Sequence, residues 1–191
     1  VDITPTGPAE RRNAGLGFVP EERNGHAAVP AMTLAENNLL TGHSLGGAVQ
    51  LGVINEPMMV ATVATVAETF DVRLPNENPL ASSLSGGNLQ KFVVGREIGR
   101  TPRVLIVSQP TWGVDIGAAM FIRSAMLDLA AQGSAVVMIS QDLEEIFMTA
   151  HQVAVLFDGT LSEAMPVAAL TAEKVGLLMG GSASGAQQAH D

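Results

Sequence analysis

Apolar residues along the chain fall into short blocks parted by proline- and glycine-marked breaks. Residues 16–20, LGFVP, predict a short buried strand ended by proline. Thr33-Leu34-Ala35-Glu36 has the form of a capping box, with Glu36 placed to reach back to the Thr33 N–H, so a helix is expected to start at TLAENNLL. A second helix is predicted over 56–70 behind a proline-marked start, and the prolines at 75 and 79 close that section. Beyond the turn Ser85-Gly86-Gly87, a helix is expected over 88–99, a buried strand over 104–107, an amphipathic helix over 118–131, a strand over 135–139 and a helix over 143–149. Segments 153–157 and 160–164 flank Asp158-Gly159 and predict a hairpin. Strands alternate with helices through the second half, which implies βαβ units and a mainly parallel sheet. The expected organisation is an α/β core from 1–31 and 81–180, a helical insertion over 32–80 and a disordered tail at 181–191, rich in Gly, Ser, Ala and Gln.

The 191 residues are 47% hydrophobic, enough to close one core or one core with a small subdomain. A net charge of −9 and just two lysines, Lys91 and Lys174, argue against a partner recognised through a phosphate backbone, so no nucleic acid is expected. Cysteine is absent and the four histidines, His26, His43, His151 and His190, have no paired ligand spacing, so no metal site is expected. The longest charge-free stretch, 37–55, is broken by polar residues and glycines and does not suit a membrane span of about 20 apolar residues. The chain starts at Val1 without a basic, signal-like segment, and a longer natural polypeptide is expected.

Two Ser-Gly patterns compete for the chemistry. TGHSLGG, at 41–47, contains the G-x-S-x-G of a hydrolase elbow, and Asp115 and His151 follow Ser44 in a chain order compatible with a triad. Yet an elbow needs an apolar strand running into the serine, and Asn37, Asn38 and the capping box are the wrong lead-in. A turn between two helices is the plainer reading. LSGGNLQK, at 84–91, instead sets its glycines ahead of a helix, where N–H groups and the Ser85 hydroxyl converge at the end of the dipole that favours an anion. The same Ser-Gly-Gly entry also serves as an ordinary N-cap.

The residues downstream of LSGGNLQK decide between these. VLIVSQPTWGVDIGA, at 104–118, is an apolar strand, two polar residues, Pro-Thr and then Gly-x-Asp. With FVPEER at 18–23 and ISQDLEE at 139–145, the chain resembles the ATP-binding subunits of ABC transporters over about residues 1–180. It is most similar to the carboxy-terminal ATPase half of fused subunits serving simple-sugar and nucleoside importers, with Gln109-Pro110-Thr111 favouring the nucleoside type. The resemblance implies a P-loop NTPase α/β core lacking its first strands, with 32–80 as the ABC helical subdomain. It identifies LSGGN as the signature motif, so Ser85, Gly86, Gly87 and Asn88 are expected to clamp ATP, with Asp115 of the D-loop at the interface. The phosphate-binding G-x-x-x-x-G-K-[ST] is expected to lie upstream of Val1, since no Gly-Lys pair occurs in the sequence.

Four positions depart from the family pattern at its catalytic sites. Ser108 and Gln109 stand where the second strand motif normally ends Asp-Glu, Glu21 replaces a glutamine, and Gln141 replaces the switch histidine. Trp112 also stands where arginine is common. The resemblance therefore implies a domain disarmed in its own pocket that completes an ATP site held by an amino-terminal ATPase domain or second ATPase subunit. ATP and Mg²⁺ are expected in the full transporter and none on the isolated chain. The helical subdomain is expected to grip membrane permease subunits at the cytoplasmic face, without membrane insertion. Met58 and Met59 have two readings there, as docking residues or as core. The alternative class is a structural or regulatory domain that binds no nucleotide.

Overall fold

Pro8 opens the first helix, α1 (Pro8–Asn13), where its missing N–H costs nothing, and the Glu10 carboxylate accepts from the Gly7 N–H at 2.9 Å. The computed structural model describes residues 2–42 and 47–181. Within them the chain divides into two units, Val1–Ile139 and Ser140–Asp191.

In the first unit, α1 leads into β1 (Leu16–Val19). The next helix, α2 (Leu34–Gly42), starts at the expected capping box: the Thr33 N–H donates to Glu36 Oε2 at 2.7 Å and the Glu36 N–H donates to Thr33 Oγ1 at 3.2 Å. A short antiparallel hairpin follows, β2 (Val49–Gln50) with β3 (Val53–Ile54), between the two expected helices of the helical insertion, where no strand is expected. Its turn residues Leu51 and Gly52 both have positive φ, 52° and 80°, the primed-turn geometry that matches strand twist. Asn55 caps α3 (Glu56–Thr69), its Oδ1 accepting from the Met58 N–H at 3.1 Å. The unit is completed by α4 (Gly86–Ile98), β4 (Val104–Ser108), α5 (Ile116–Ala131) and β5 (Ala135–Ile139). Because α4 begins at Gly86, both glycines belong to its first turn instead of preceding it.

The three long strands form one parallel sheet in the order β1-β4-β5, with Leu16 opposite Val104 and Leu105 opposite Val136. Alternation sends Val19, Leu105 and Val107 into a core with Leu89, Phe92 and Val93 of α4 and Ile122, Met126 and Leu129 of α5. Phe18, Val137 and Ile139 are exposed. Of the two methionines of α3, Met59 is core and Met58 is 36% exposed. Gly95 lets α3 and α4 approach closely, since a Cβ there would sit 2.6 Å from Phe70 Cγ. Phe70 in turn meets Phe121 edge-on at 5.8 Å.

A buried ionic cluster fixes α4 to what precedes it. Arg96 and Glu97 are both buried, and Arg96 Nε donates to Glu97 Oε1 at 3.1 Å. Arg96 also donates to the carbonyls of Asn37 (3.1 Å) and Ala27 (3.0 Å), while Arg12 donates to Glu97 Oε2 at 2.9 Å. Burial works against the Glu97 charge, but the charges of Arg96, Arg12 and Arg100 outweigh it and hold its carboxyl below the usual range. Burial pulls the Arg100 guanidinium down to about 10, the nearby Glu97 charge opposing. Asn37, fully buried on α2, accepts from the Val29 N–H at 2.7 Å and donates to the carbonyls of Val29, Met32 and Thr33. Both the oxygen and the nitrogen of its amide are satisfied, which is what allows it inside.

The second unit has its own small core of Val153, Val155, Leu170 and Val175. It comprises α6 (Leu143–Thr149), β6 (Gln152–Val153), β7 (Leu156–Phe157), β8 (Thr160–Leu161), β9 (Met165–Pro166) and α7 (Ala172–Met179). The predicted hairpin is present as β7–β8, turning at Asp158 and Gly159 with φ of 44° and 74°, while β6 pairs with β9. Its strands are shorter than the pattern implied. Ser44 and residues 182–191 lie outside the described residues. Among the described residues no helix is long and apolar enough to cross a membrane.

Candidate functional site

Ser85 is the N-cap of α4, in extended backbone at φ −63° and ψ 155°. Its hydroxyl oxygen accepts from the Asn88 N–H at 3.4 Å and from Asn88 Nδ2 at 3.0 Å. With both lone pairs engaged, its remaining capacity is the O–H, a donor. Ser85 and Gly86 are exposed and Gly87 and Asn88 half-buried, so this donor and the first turn of α4 face open space. The first N–H groups of a helix lack intrahelical acceptors and lie at the positive end of its dipole.

A second helix start meets the first. Asp115 caps α5, its Oδ1 accepting from the Ala118 N–H at 2.9 Å. Gly87 permits the approach, for a Cβ there would lie 3.3 Å from Asp115 Oδ2. Ser85, Gly87, Asn88 and Asp115 thus line one open cleft of about 520 Å³, together with Asp71, Arg73, Lys91 and Phe121. Lys91 Nζ donates to Asp71 Oδ2 at 2.8 Å and to the Asp71 carbonyl at 3.0 Å, and lies 5.6 Å from the Phe121 ring centre. That hydrogen bond and charge hold the Asp71 carboxyl below its ordinary value.

Gly86 opens on a neighbouring cavity of about 280 Å³ with Arg23, Asn24 and Ser82. Arg23, on the loop after β1, donates to the carbonyls of Trp112 and Gly113 in the β4–α5 loop, and burial lowers the pKa of its guanidinium. Gln90, buried on α4, donates to the Pro110 carbonyl at 2.9 Å. The β4–α5 loop is therefore held from two sides, by α4 and by the loop after β1.

Ser108 and Gln109, at the end of β4, line neither cavity. Gln109 has a left-handed backbone, φ 47°, with its N–H donating to the Ile139 carbonyl at 2.8 Å. For a non-glycine residue this conformation is sparsely populated and is found at constrained sites. Glu21 is exposed on the loop after β1, and Gln141 is exposed at the start of the second unit. Among the described residues no three His, Asp or Glu side chains gather as a metal site. Arg73, Lys91 and Arg23 are not among the residues expected to bind: Lys91 and Arg23 fall within the quoted LSGGNLQK and FVPEER segments, but their roles come from partners far away in the chain, Asp71 for Lys91 and the Trp112 and Gly113 carbonyls for Arg23, and Arg73 lies outside every quoted motif.

No protein-family model matches the chain. It is 36% identical over 175 residues to the guanosine import ATP-binding protein of Bacillus subtilis (strain 168), covering 92% of this chain and 34% of that protein. It is 37% identical over 180 residues to the nucleoside import ATP-binding protein of Lactococcus lactis subsp. cremoris (strain MG1363), covering 94% and 36%. The chain thus spans about a third of the length of the curated relatives it matches. Its fold is similar to that of a dimeric ATP-binding cassette in a post-hydrolysis state bound to ADP and Pi, with a TM-score of 0.68 at 20% identity, over 83% of this chain and 66% of that one. A nucleotide-free ATP-binding cassette gives 0.67 at 22% identity, over 94% and 70%. With its parallel α/β layer, its LSGGN helix entry and these relatives, the chain belongs to the ATP-binding cassette family.

Proposed function

We propose that this chain is a nucleotide-binding domain of a nucleoside or simple-sugar importer, which presents its signature motif to ATP held by a partner ATPase domain and is degenerate in its own pocket. The observation that carries this reading is the Ser85 hydroxyl: exposed, with both lone pairs engaged by Asn88, it has a donor left for an acceptor-rich ligand. A phosphate oxygen is such an acceptor. The first turn of α4 adds N–H groups and its dipole, and Gly86 and Gly87 carry no side chain to hold a phosphate away. Asp115, 3.3 Å from a Cβ built at Gly87, stands at the rim where a partner domain would close over the cleft.

Hydrolysis in this domain's own pocket is not supported by its residues. Ser108 and Gln109 follow one another at the end of β4 without a carboxylate, so that position offers Mg²⁺ no charged ligand and water no general base. Loss of such a base costs about a hundredfold or more in rate. Glu21 and Gln141 at the two further departures complete the reading of a disarmed site. The role left to Ser85, Gly86 and Gly87 is to bind and orient a triphosphate whose Mg²⁺ and attacking water are arranged by the other domain. The 32–80 segment, with Met58 and Leu40 exposed, is assigned to docking on membrane permease subunits, which would place the chain peripherally at the cytoplasmic face.

The test is Ser85→Arg in the full-length subunit assembled with its permease. The bulky cation fills the place of the phosphate, and ATPase turnover is expected to fall at least about tenfold. Undiminished turnover overturns the reading in favour of a regulatory domain that touches no nucleotide.

A further inference from the structure

The cleft at the start of α4 holds a cation that lies outside the LSGGN motif. Arg73 follows α3 on the segment leading towards α4, and it lines the cleft beside Ser85, Gly87 and Asn88. Its backbone is fixed from two directions. The preceding Val72 is buried, with its N–H donating to the Ala67 carbonyl at 2.9 Å, and the Arg73 N–H itself donates to Asn88 Oδ1 at 2.9 Å. The other end of the same amide, Nδ2, donates to Ser85 Oγ. Asn88 therefore accepts from the Arg73 main chain with one atom and holds the Ser85 hydroxyl with the other. An amide can do both by donating at one end, whereas a carboxylate only accepts.

The charges of the cleft divide unevenly. Lys91 and Asp71 neutralise each other as an ion pair. Asp115 remains as a negative charge close to Gly87, unfavourable to an incoming anion apart from its compensation by the α5 N-terminus. The Arg73 guanidinium is exposed and makes no hydrogen bond or ion pair among the described residues, although its charge is felt by Asp71. Held at its main chain and open at its head, it is free to take two oxygens of one phosphate in the fork geometry that suits guanidinium.

We infer that Arg73 is a nucleotide-contacting residue, binding the phosphates of the ATP that meets Ser85, and that Asn88 is the positioning residue that holds Arg73 and Ser85 in register. This rests on the function proposed above and adds to it a charged contact from outside the motif. It also gives Asn88 a role in which both ends of its amide are occupied by the protein.

The experiment uses the full-length subunit with its permease in vesicles, measuring ATPase rate against ATP concentration for Arg73→Ala, Arg73→Lys, Asn88→Ala and Ser85→Arg. Arg73→Ala is expected to raise KM for ATP about tenfold with a smaller change in kcat, and Arg73→Lys to recover part of that loss. The KM difference between Arg73→Ala and the unmodified protein should shrink as salt is raised, which a purely structural role would not produce. Asn88→Ala should raise KM as well, and combining it with Arg73→Ala should add little. If Arg73→Ala lowers the melting temperature, the comparison of Arg73→Lys with Arg73→Gln decides: a lower KM for lysine supports the inference, and equal KM values overturn it. A KM for Arg73→Ala within twofold of the unmodified protein, while Ser85→Arg abolishes turnover, overturns the inference and leaves the signature-motif role standing. If neither variant changes turnover, both fall.

Discussion

Arg12 Nη1 donates to Glu97 Oε2 at 2.9 Å, a contact that joins α1 to the far end of α4. Glu97 is the shared acceptor of that cluster, since Arg96 and Arg100 also reach its Oε1. Removing a shared buried carboxylate leaves uncompensated cations, which typically costs about 3–5 kcal/mol. Glu97→Ala is expected to lose stability on that scale in denaturant unfolding. Arg12→Ala, whose side chain is partly open to water, should lose about 1 kcal/mol. Equal losses from the two variants would show that the cluster has no centre at Glu97.

Acid should loosen the same cluster. The Glu97 carboxyl is held below its ordinary 4.5: burial pushes it up, and Arg96, Arg12 and Arg100 together push it further down. A depressed folded pKa means that the folded chain binds this proton less readily than the unfolded one, so the contribution is complete above 4.5 and is lost as pH falls through the folded value. Asp71, lowered by Lys91, works in the same sense at the surface. The melting temperature is expected to fall as pH drops below the ordinary carboxylate range, and to fall less steeply in Glu97→Gln. Parallel profiles for the two proteins would count against Glu97 as a source of the acid sensitivity.

Two helical glycines should respond to alanine in opposite directions. At Gly95 a Cβ would lie 2.6 Å from Phe70 Cγ and 3.0 Å from Val66 Cγ1, so Gly95→Ala forces α3 away from α4. The expected loss is about 1–3 kcal/mol, more than the gain of about 1 kcal/mol in helix propensity. At Gly176, in α7, nothing lies within 4 Å of the added atom, and Gly176→Ala should gain roughly 0.5–1 kcal/mol. Thermal unfolding of both variants checks the pair. A stabilised Gly95→Ala would mean that the α3–α4 contact is loose enough to take a methyl group.

The parts of this fold that announce themselves in sequence are those built from neighbours. The Thr33–Glu36 box, the Ser85 cap and the Asp158-Gly159 turn each close within four residues, so residue type and spacing suffice. The hairpin of β2 and β3 is hidden because its turn is Leu51-Gly52, with a leucine at positive φ where asparagine or aspartate is the usual signal. Helices α1 and α7 are absent from the expected elements although both starts are spelled locally, by Gly7, Pro8 and Glu10 in one and by Thr171, which accepts from the Lys174 N–H, in the other. Polar residues inside α4 suggest a solvated face, and nothing local says that Arg96 and Glu97 are buried, with Arg96 bonded to Asn37 and Ala27. The cleft is legible as far as its motif runs, from Ser85 to Asn88, with Asp115 brought by the resemblance. Arg73 is not, because the hydrogen bond that ties it to the motif reaches Asn88 across fifteen positions of chain.

Leu16 of β1 pairs with Val104 of β4, and in the described sheet β1 has no other neighbour. A ribosome adding about 5–20 residues per second makes β1 on the order of ten seconds before β4. During that interval β1, with Phe18 and Val19 on its two sides, lacks the β4 edge it pairs with in the described sheet, and the hairpin and helices between them can condense first. The β1–β4 pairing therefore waits on the synthesis of everything between the two strands, and a nascent chain stalled before Val104 holds β1 without that partner.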